Sequence, residues 1–518
     1  MQMEEVNMSS PTIASRNGII TNYKPIWEKT KQERKKLAQI KKEMELSSPS
    51  TTTISNCKSI FKTISEEKEG RQKIVEEKLK IFRNILPDIL KGLREIKDTR
   101  NPKTTDHKLT CVLLYGLLMF VLQMSSRREA NRIMTMPQFV ENLKTMFPEI
   151  ESLPHGDTVN RVLSQIKVEE IQKTQVELVR ELIYRKKFNR YKIGRRYMIA
   201  VDGTQKFSRD IPWSEEALQR TKHTKKGKKK QYYVYVLEAN LVFKNGLTVP
   251  LLCEILEYTK GDTKENKQDC EINAFKRLAT RLKKLFPRLP ITVLLDGLYP
   301  NGPIMELCKK NNWEYMMVLK DDSLKQVWDE AYGINKLETK NKLNQTWGGR
   351  SQHFWWVNGI EYDYGNNGQF QQIVNVVVCE ETWQEVDPKT GEIVEKRTRY
   401  AWISSKPLNR KNVSKRCNLM GRYRWRIESD ILIEKHHGYQ SEHCFSKNWN
   451  AMKGFHYLMR LAYLINILTQ YSVYIYEKIK VWGVCGIMWL ILDTLTAPWL
   501  DKKRIKEITN KKPQMRLI

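Results

Sequence analysis

The sequence predicts an α/β protein in which a mixed sheet is flanked by helices, preceded by an all-helical N-terminal domain and interrupted by a β-rich insertion. Apolar residues recur with a helical period from Cys57 to about residue 190. At Arg195 the pattern changes to β-branched and aromatic runs bounded by Gly, Asn, Asp or Pro. A second strand-rich block spans Thr346 to Ser405. A chain of 518 residues is longer than one core usually organises, so we expect several domains.

The domain boundaries follow these changes of pattern. The polar N-terminal segment is expected to be mobile, with a short helix near Trp27 to Glu45. The predicted ranges are 1–56, a basic arm and linker; 57–190, an all-helical domain; 191–345, the first part of the sheet domain; 346–405, the β insertion, with a hairpin turn at 387–391; 406–475, the second part; and 476–518, a C-terminal helix and basic tail.

The order of the predicted strands narrows the fold. Three runs can pair as antiparallel neighbours, and they read RRYMIAVDG, QYYVYVLEANLVF and LTVPLLCEILEY. Two further runs, ITVLLDG and EYMMVLKD, alternate with helical stretches. An antiparallel group followed by strand and helix alternation is the ribonuclease H-like order.

The charge balance points to a polyanionic partner. Lys and Arg number 90 against 59 Asp and Glu, a formal net charge of +31, so nucleic acid is the first candidate and an anionic membrane the second. The two most apolar stretches, Leu109 to Met124 and Val481 to Leu500, favour buried core helices over membrane spans, because one is short and the other contains Asp493. A membrane-associated basic protein is therefore the least favoured interpretation.

Cysteine usage and the N-terminus favour a cytoplasmic protein. The 9 Cys are scattered singly without a CxxC pair, which argues for reduced thiols and against a structural zinc site. The first residues, MQMEEVNMSSPT, do not have the pattern of a secretion signal.

Two aspartates stand where strands are predicted to end. Asp202 follows MIAV, Asp296 follows ITVLL, and each precedes a Gly. In open α/β sheets ligands bind beyond the carboxyl ends of strands, so two carboxylates there could share divalent cations. For any single Asp, local bonding to backbone N–H groups is the commoner role.

One predicted helix gathers three charged residues on one face. Arg424, Glu428 and Lys435 project within about 40° of one another at 100° per residue. This face offers a metal-binding carboxylate between two phosphate-seeking cations. A solvated face with a weak i,i+4 ion pair is an equally good interpretation of the spacing.

A run of lysines suits contact with a phosphate backbone. The segment TKHTKKGKKKQ lies between predicted strands, and a solvated loop is the alternative interpretation. The expected phosphate-binding residues there are Lys225, Lys226, Lys228, Lys229 and Lys230.

Three motifs together resemble the DDE transposases of bacterial and archaeal insertion sequences, in the group with a β insertion before the catalytic Glu. VDGT at 201–204 and LLDGLYPN at 294–301 look like the strands of the first and second Asp, and RWRIE at 424–428 with Lys435 resembles the R-x3-E-x6-K signature. The resemblance covers roughly residues 90 to 470. The chain departs from the signature at Gly421, where the family usually has Tyr.

The resemblance implies DNA strand cleavage and strand transfer by cut-and-paste transposition. The catalytic and metal-binding residues would be Asp202, Asp296 and Glu428, holding two Mg²⁺ ions, or Mn²⁺, roughly 4 Å apart. Arg424 and Lys435 would hold phosphates. The partner would be double-stranded DNA, bound by a homodimer because two element ends need two active sites.

The tryptophans of the insertion have an expected role by the same resemblance. Trp355 and Trp356 would stabilise a base flipped out of a DNA hairpin end, and plain packing of one or both is the alternative interpretation. Two other functions stay open: a DNA-binding protein that has lost activity, and a ribonuclease H-like nuclease without strand transfer.

Overall fold

The chain forms two compact units in the computed structural model, which describes residues 13–14, 20–21, 58–224, 227–257, 270–338, 340–386, 393–497, 500–511 and 514–517. The larger unit comprises Thr52–Leu295, Lys309–Trp313 and Arg422–Ile518, and the smaller unit comprises Met1–Thr51, Asp296–Cys308 and Glu314–Gly421. The predicted arm helix, the turn at 387–391, Lys225 and Lys226 lie outside the described residues.

Helices before the sheet build a large part of the core of the larger unit. α2 is buried at every position except Thr110, which explains the apolar run that begins at Leu109. Ser126 caps the start of α3 by accepting a hydrogen bond from the backbone N–H of Glu129. The helices are α1 Ile64–Arg94, α2 Leu109–Val121, α3 Arg127–Ile133, α4 Pro137–Met146, α5 Gly156–Gln165 and α6 Glu169–Tyr184.

The sheet of the larger unit has the predicted ribonuclease H-like order. β1 pairs antiparallel with β3, β3 pairs antiparallel with β2 and β4, and β5 lies parallel to β1 on its other side. The strands are β1 Tyr197–Arg209, β2 Leu218–Thr224, β3 Gly227–Val242, β4 Thr248–Leu256 and β5 Ile291–Leu295. The α/β fold class predicted from the sequence is confirmed.

Two helices near the end of the chain cover this sheet. α11, Trp425–His436, packs against β1, β3 and β4. α12, Trp449–Gln470, packs against β4 and against α2, α5 and α6, so it joins the sheet to the helical core. The other helices of this unit are α7 Glu271–Leu285, α13 Val473–Thr496 and α14 Lys502–Asn510.

The smaller unit contains an antiparallel sheet in the order β6-β10-β9-β8-β7. A bulge between Val357 and Ile360 interrupts β8, and Gly359 there has a positive φ of 78°. The strands are β6 Glu314–Val318, β7 Lys342–Trp347, β8 Arg350–Tyr364, β9 Phe370–Val386 and β10 Ile393–Ser404, and the helices that begin in this unit are α8 Gly302–Lys310, α9 Lys325–Leu337 and α10 Val413–Asn418. Strands therefore dominate the predicted insertion.

One described helix, α13, is long and apolar enough to cross a membrane by length and composition alone. Its most apolar window has a mean hydropathy of 1.5, and 39% of that window is buried within the protein. Gly483 interrupts the helix with a φ of 66°. Length and composition do not distinguish such a helix from the core helix of a soluble protein.

Candidate active site

Asp202 lies within β1, not at its end. The strand continues to Arg209, so the expectation that the chain leaves the sheet after Asp202 is wrong. Gly203 serves close packing instead, because a Cβ there would lie 2.4 Å from Oε2 of Glu271 and 2.5 Å from the hydroxyl of Tyr235. The backbone N–H of Gly203 donates to Oδ1 of Asp202 at 2.9 Å.

Arg424 joins Asp202 to Glu428. Its guanidinium donates from Nη1 to Oδ2 of Asp202 at 3.4 Å and from Nη2 to Oε1 of Glu428 at 2.5 Å. The Arg424 side chain is 8% exposed, that of Asp202 18% and that of Glu428 47%. The Nε of Arg424 is buried and has no hydrogen-bond partner among the described residues. Two carboxylates from a strand and a helix thus converge on one cation.

Asp296 directly follows β5. The parallel ladder pairs Ala200 with Leu294, each two residues before one of the two aspartates. Asp296 begins the next segment of the smaller unit, where its Oδ1 accepts a hydrogen bond from the backbone N–H of Leu298 at 2.9 Å. This bond is the local role that a single strand-end Asp commonly has.

Carboxylate oxygens are the ligands that Mg²⁺ and Mn²⁺ prefer, so the chemistry of Asp202 and Glu428 fits such an ion. In the parts of the chain that the structure describes, however, no group of three or more His, Cys, Asp or Glu side chains lies close enough together to hold a metal. Arg424 occupies the position between the two carboxylates where their shared cation would bind.

Lys435 has an acidic partner of its own. Its Nζ lies 3.0 Å from Oε1 of Glu442, and its side chain is 18% exposed. Contact with a phosphate would require this ion pair to open.

A buried polar network lies behind the two acids, and sequence reasoning missed it. Glu238 on β3 is the direct cross-strand partner of Asp202. Nη1 of Arg460 on α12 donates to Glu238 at 2.7 Å and to Glu434 on α11 at 2.5 Å, and its Nη2 donates to Oδ1 of Asn240. All four side chains are at most 3% exposed. The network therefore ties α11 and α12 to the strand beside Asp202.

The network extends to Asp430. Its carboxylate accepts hydrogen bonds from Thr248, Asn240 and Tyr463 at 2.8, 3.0 and 2.9 Å. Burial raises the pKa of the Asp430 carboxyl to about 6, against the lowering effect of these donors. Burial also raises the pKa of Glu434 to about 8, although Arg460 opposes this shift.

Lys206 lies four residues beyond Asp202 on the same strand. Its Nζ is 2.9 Å from Nδ1 of His456, and burial lowers the pKa of this ammonium to about 8.

The sequence contains a signal for this buried network. Arg460 is a lone charge in the apolar run GFHYLMRLAYLINILTQY, and a charge there requires a buried partner.

The lysine-rich segment 221–231 was predicted as a loop between strands, but its described residues lie in β2 and at the start of β3. Lys228, Lys229 and Lys230 are exposed, and Lys222 is the cross-strand partner of Lys229. Lys229 also contacts Asp210 at 2.8 Å. Like charges placed opposite one another destabilise an unbound sheet edge.

The two tryptophans of the insertion are packed inside the smaller unit. Trp355 is 5% exposed and Trp356 2% exposed, and the Trp355 ring lies 5.7 Å from that of Tyr332. Base stacking by either would require neighbouring side chains to move.

Trp402 fills the space that a side chain at position 421 would need. A Cβ on Gly421 would lie 2.8 Å from Nε1 of Trp402, which is 1% exposed. The nearby Tyr423 donates its hydroxyl to the carbonyl of Lys244 at 2.9 Å. The departure from the signature at Gly421 thus has a steric cause.

Comparison with known families agrees with this geometry. The family model described as DDE_Tnp_1-associated matches residues 90–178. The model described as Transposase DDE domain matches residues 198–465, which is more than half of the chain and contains Asp202, Asp296 and Glu428. A search of curated proteins finds no match. The chain belongs to the DDE transposase family.

Proposed function

We propose that this protein cleaves double-stranded DNA at the ends of an insertion sequence and joins those ends to a target, by cut-and-paste transposition. The observation that carries the proposal is the convergence of Asp202 and Glu428 on one cation, on a ribonuclease H-like sheet. Asp296, directly after the neighbouring parallel strand, is proposed as the third acid.

Phosphoryl transfer needs charge neutralisation and in-line geometry more than covalent help from the protein. Two Mg²⁺ ions, or Mn²⁺, bound by the three carboxylates would neutralise the phosphate and lower the pKa of the attacking water or 3′-hydroxyl. Arg424, released from the carboxylates, would hold a phosphate oxygen, and Lys435 would do so after leaving Glu442.

Contact with the DNA backbone is proposed for the lysine-rich segment 221–231, including Lys225 and Lys226, which would bind phosphates without reading sequence. Residues 57–190 are proposed to contribute to end recognition or dimerisation, and a homodimer on DNA would supply one active site for each end. A protein of this function would work in the cytoplasm, at the nucleoid.

Cleavage of a duplex carrying the element's own ends tests the proposal. Wild type in Mg²⁺ should nick at the element boundary, while Asp202→Asn, Asp296→Asn and Glu428→Gln should still bind the duplex and cut at least about 100-fold more slowly. Asp322→Asn, which changes an exposed Asp of the same charge, is the matched control and should keep full activity.

The alternatives predict different results. Binding without cutting by the wild type would support an inactive DNA-binding protein. Cutting without joining would support a nuclease. Normal cutting by one of the three acid variants would remove that residue from the site.

A further inference from the structure

The segment just before Glu428 has an unusual charge distribution. From Lys396 to Ile427 the sequence contains eleven Lys or Arg residues and no Asp or Glu. The whole chain has 59 acidic residues beside 90 Lys and Arg, so a stretch this long without an acid departs from the chain's own average. Apart from Arg422 and Arg426, which lie over the rings of Trp425 and Tyr423, the cations of this segment fall into two groups according to what they contact.

Several of the cations have acidic partners on other elements. Arg399 pairs with Asp321, and Lys396 contacts Glu385 at 3.4 Å. Arg416 on α10 is buried, contacts Glu314 at 3.0 Å and donates to Oγ of Ser404 at 2.9 Å. These pairs fix β10 and α10 within the smaller unit.

A second group faces solvent, and we call it the 406–415 surface. In the described residues none of its members forms a salt bridge, and all of them are exposed. Its members are Lys406, Arg410, Lys411 and Lys415.

The backbone that carries this surface is fixed. Asn358 on β8 accepts from the backbone N–H of Leu408 at 2.7 Å and donates to its carbonyl at 2.9 Å. The side chain of Asn409 accepts from the N–H groups of Lys411 and Asn412 at 2.9 and 3.1 Å. Asn412 donates in turn to the carbonyl of Pro407 at 3.0 Å. Lys406, Arg410 and Lys411 therefore project from a preorganised loop, beneath which Leu408 packs at 3% exposure, and Lys415 follows on α10.

The four cations within residues 406–415, among which there is no acid, repel one another in the free protein. Such an arrangement becomes favourable when a polyanion binds, because preorganisation reduces the entropy cost and each neutralised phosphate releases counterions. Exposed Lys and Arg side chains that no neighbouring group holds in one orientation suit contact with phosphates more than the reading of base edges.

We propose that the 406–415 surface binds the phosphate backbone of duplex DNA. The inference rests on the proposed function, since it adds a DNA-binding surface to the protein whose site contains Glu428. It assigns to the smaller unit a direct role in holding DNA, through contacts independent of sequence.

The test is a salt titration of DNA binding by the full chain, measured by fluorescence anisotropy on a duplex of about 30 base pairs in EDTA, between about 50 and 200 mM NaCl. The variant changes all four members of the 406–415 surface to Gln. A matched control removes the same charge from exposed cations elsewhere, through Lys276→Gln, Lys284→Gln, Arg288→Gln and Lys309→Gln.

If the surface contacts DNA, the plot of log Kobs against log[NaCl] should be less steep for the surface variant. The magnitude of its negative slope should be smaller by up to about 3.6, at 0.9 per lost phosphate contact. The control should keep the slope of the wild type. Both variants should unfold at the wild-type temperature, because none of the changed side chains is buried.

Equal slopes in the surface variant and the control would overturn the proposal, since net charge alone would then explain binding. Failure of the proposed function would give a different result. Wild type would bind DNA and the surface variant would bind it more weakly and with less salt dependence, yet wild type would not cleave the duplex in Mg²⁺.

Discussion

Replacing Arg424 by Met removes the cation that Asp202 and Glu428 share. Breaking a buried pair costs about 3–5 kcal/mol, whereas an exposed pair is worth about 1 kcal/mol or less. Arg424 and Asp202 are mostly buried, but Glu428 is 47% exposed and therefore screened by solvent. We expect Arg424→Met to lower the free energy of unfolding by about 1–3 kcal/mol in EDTA, between those limits.

The same change should strengthen metal binding. A divalent ion that binds both carboxylates must displace the Arg424 guanidinium, so its removal abolishes the competition. Each tenfold gain in affinity adds about 1.4 kcal/mol of stabilisation at saturating ion. Urea unfolding over a series of Mn²⁺ concentrations measures both effects, and cleavage should nevertheless be lost because no guanidinium remains for the phosphate.

Arg416→Met is the matched control. Arg416 is also 8% exposed and paired with one acid, Glu314, within the smaller unit. It should lower stability without changing the Mn²⁺ dependence. Equal Mn²⁺ stabilisation of wild type and Arg424→Met would refute the reasoning that the guanidinium and the metal compete.

Three further predictions concern close packing and buried charges. Gly421→Ala should lower the free energy of unfolding by about 1–3 kcal/mol because its Cβ would meet Trp402. Trp402→Phe should recover part of this loss in a double-mutant cycle, and additive losses would contradict the clash. Arg460→Met should lower the free energy of unfolding in urea by about 3–5 kcal/mol, because Glu238 and Glu434 would stay buried without their cation. A loss below about 1 kcal/mol would contradict the stabilising role of these ion pairs. The pKa of Asp430 is raised from 3.8 to about 6. The free energy of unfolding of wild type relative to that of Asp430→Asn should therefore be greatest near pH 4 and fall as the pH rises through 6. If this difference in free energy stays constant from about pH 4 to about pH 8, the carboxyl does not titrate in this range.

Local patterns were sufficient to predict four of the five strands in the sheet of the larger unit, whereas β2 was missed because its lysine-rich end was read as a loop. The runs around Met198, Val236 and Val293 are apolar and β-branched, and each forms a strand at the expected place. The parallel pairing of β1 with β5 follows from the intervening helix, since parallel strands need a crossover connection. Helical spacing likewise anticipated that Arg424 and Glu428 would meet.

Partners from distant parts of the sequence were not predictable in the same way. Spacing placed Lys435 on the face of Glu428, but Glu442, beyond the end of the helix, pairs with it. Arg460 meets Glu238 across 222 residues, and no local pattern encodes which strand residue will lie opposite a helix. The length of β1 was also missed, because Gly203 is compatible with a strand wherever another element packs closely against it.

The central claim is that carboxylates of this chain use divalent metal ions to break a DNA phosphodiester. The most direct measurement uses a duplex whose scissile phosphate carries sulfur in place of the 3′-bridging oxygen, because Mg²⁺ binds sulfur poorly and Mn²⁺ tolerates it better. The account predicts that wild type cuts the oxygen duplex in either ion and cuts the sulfur duplex only in Mn²⁺. Equal cutting of the sulfur duplex in Mg²⁺ and Mn²⁺, or cutting of either duplex in EDTA, would contradict it.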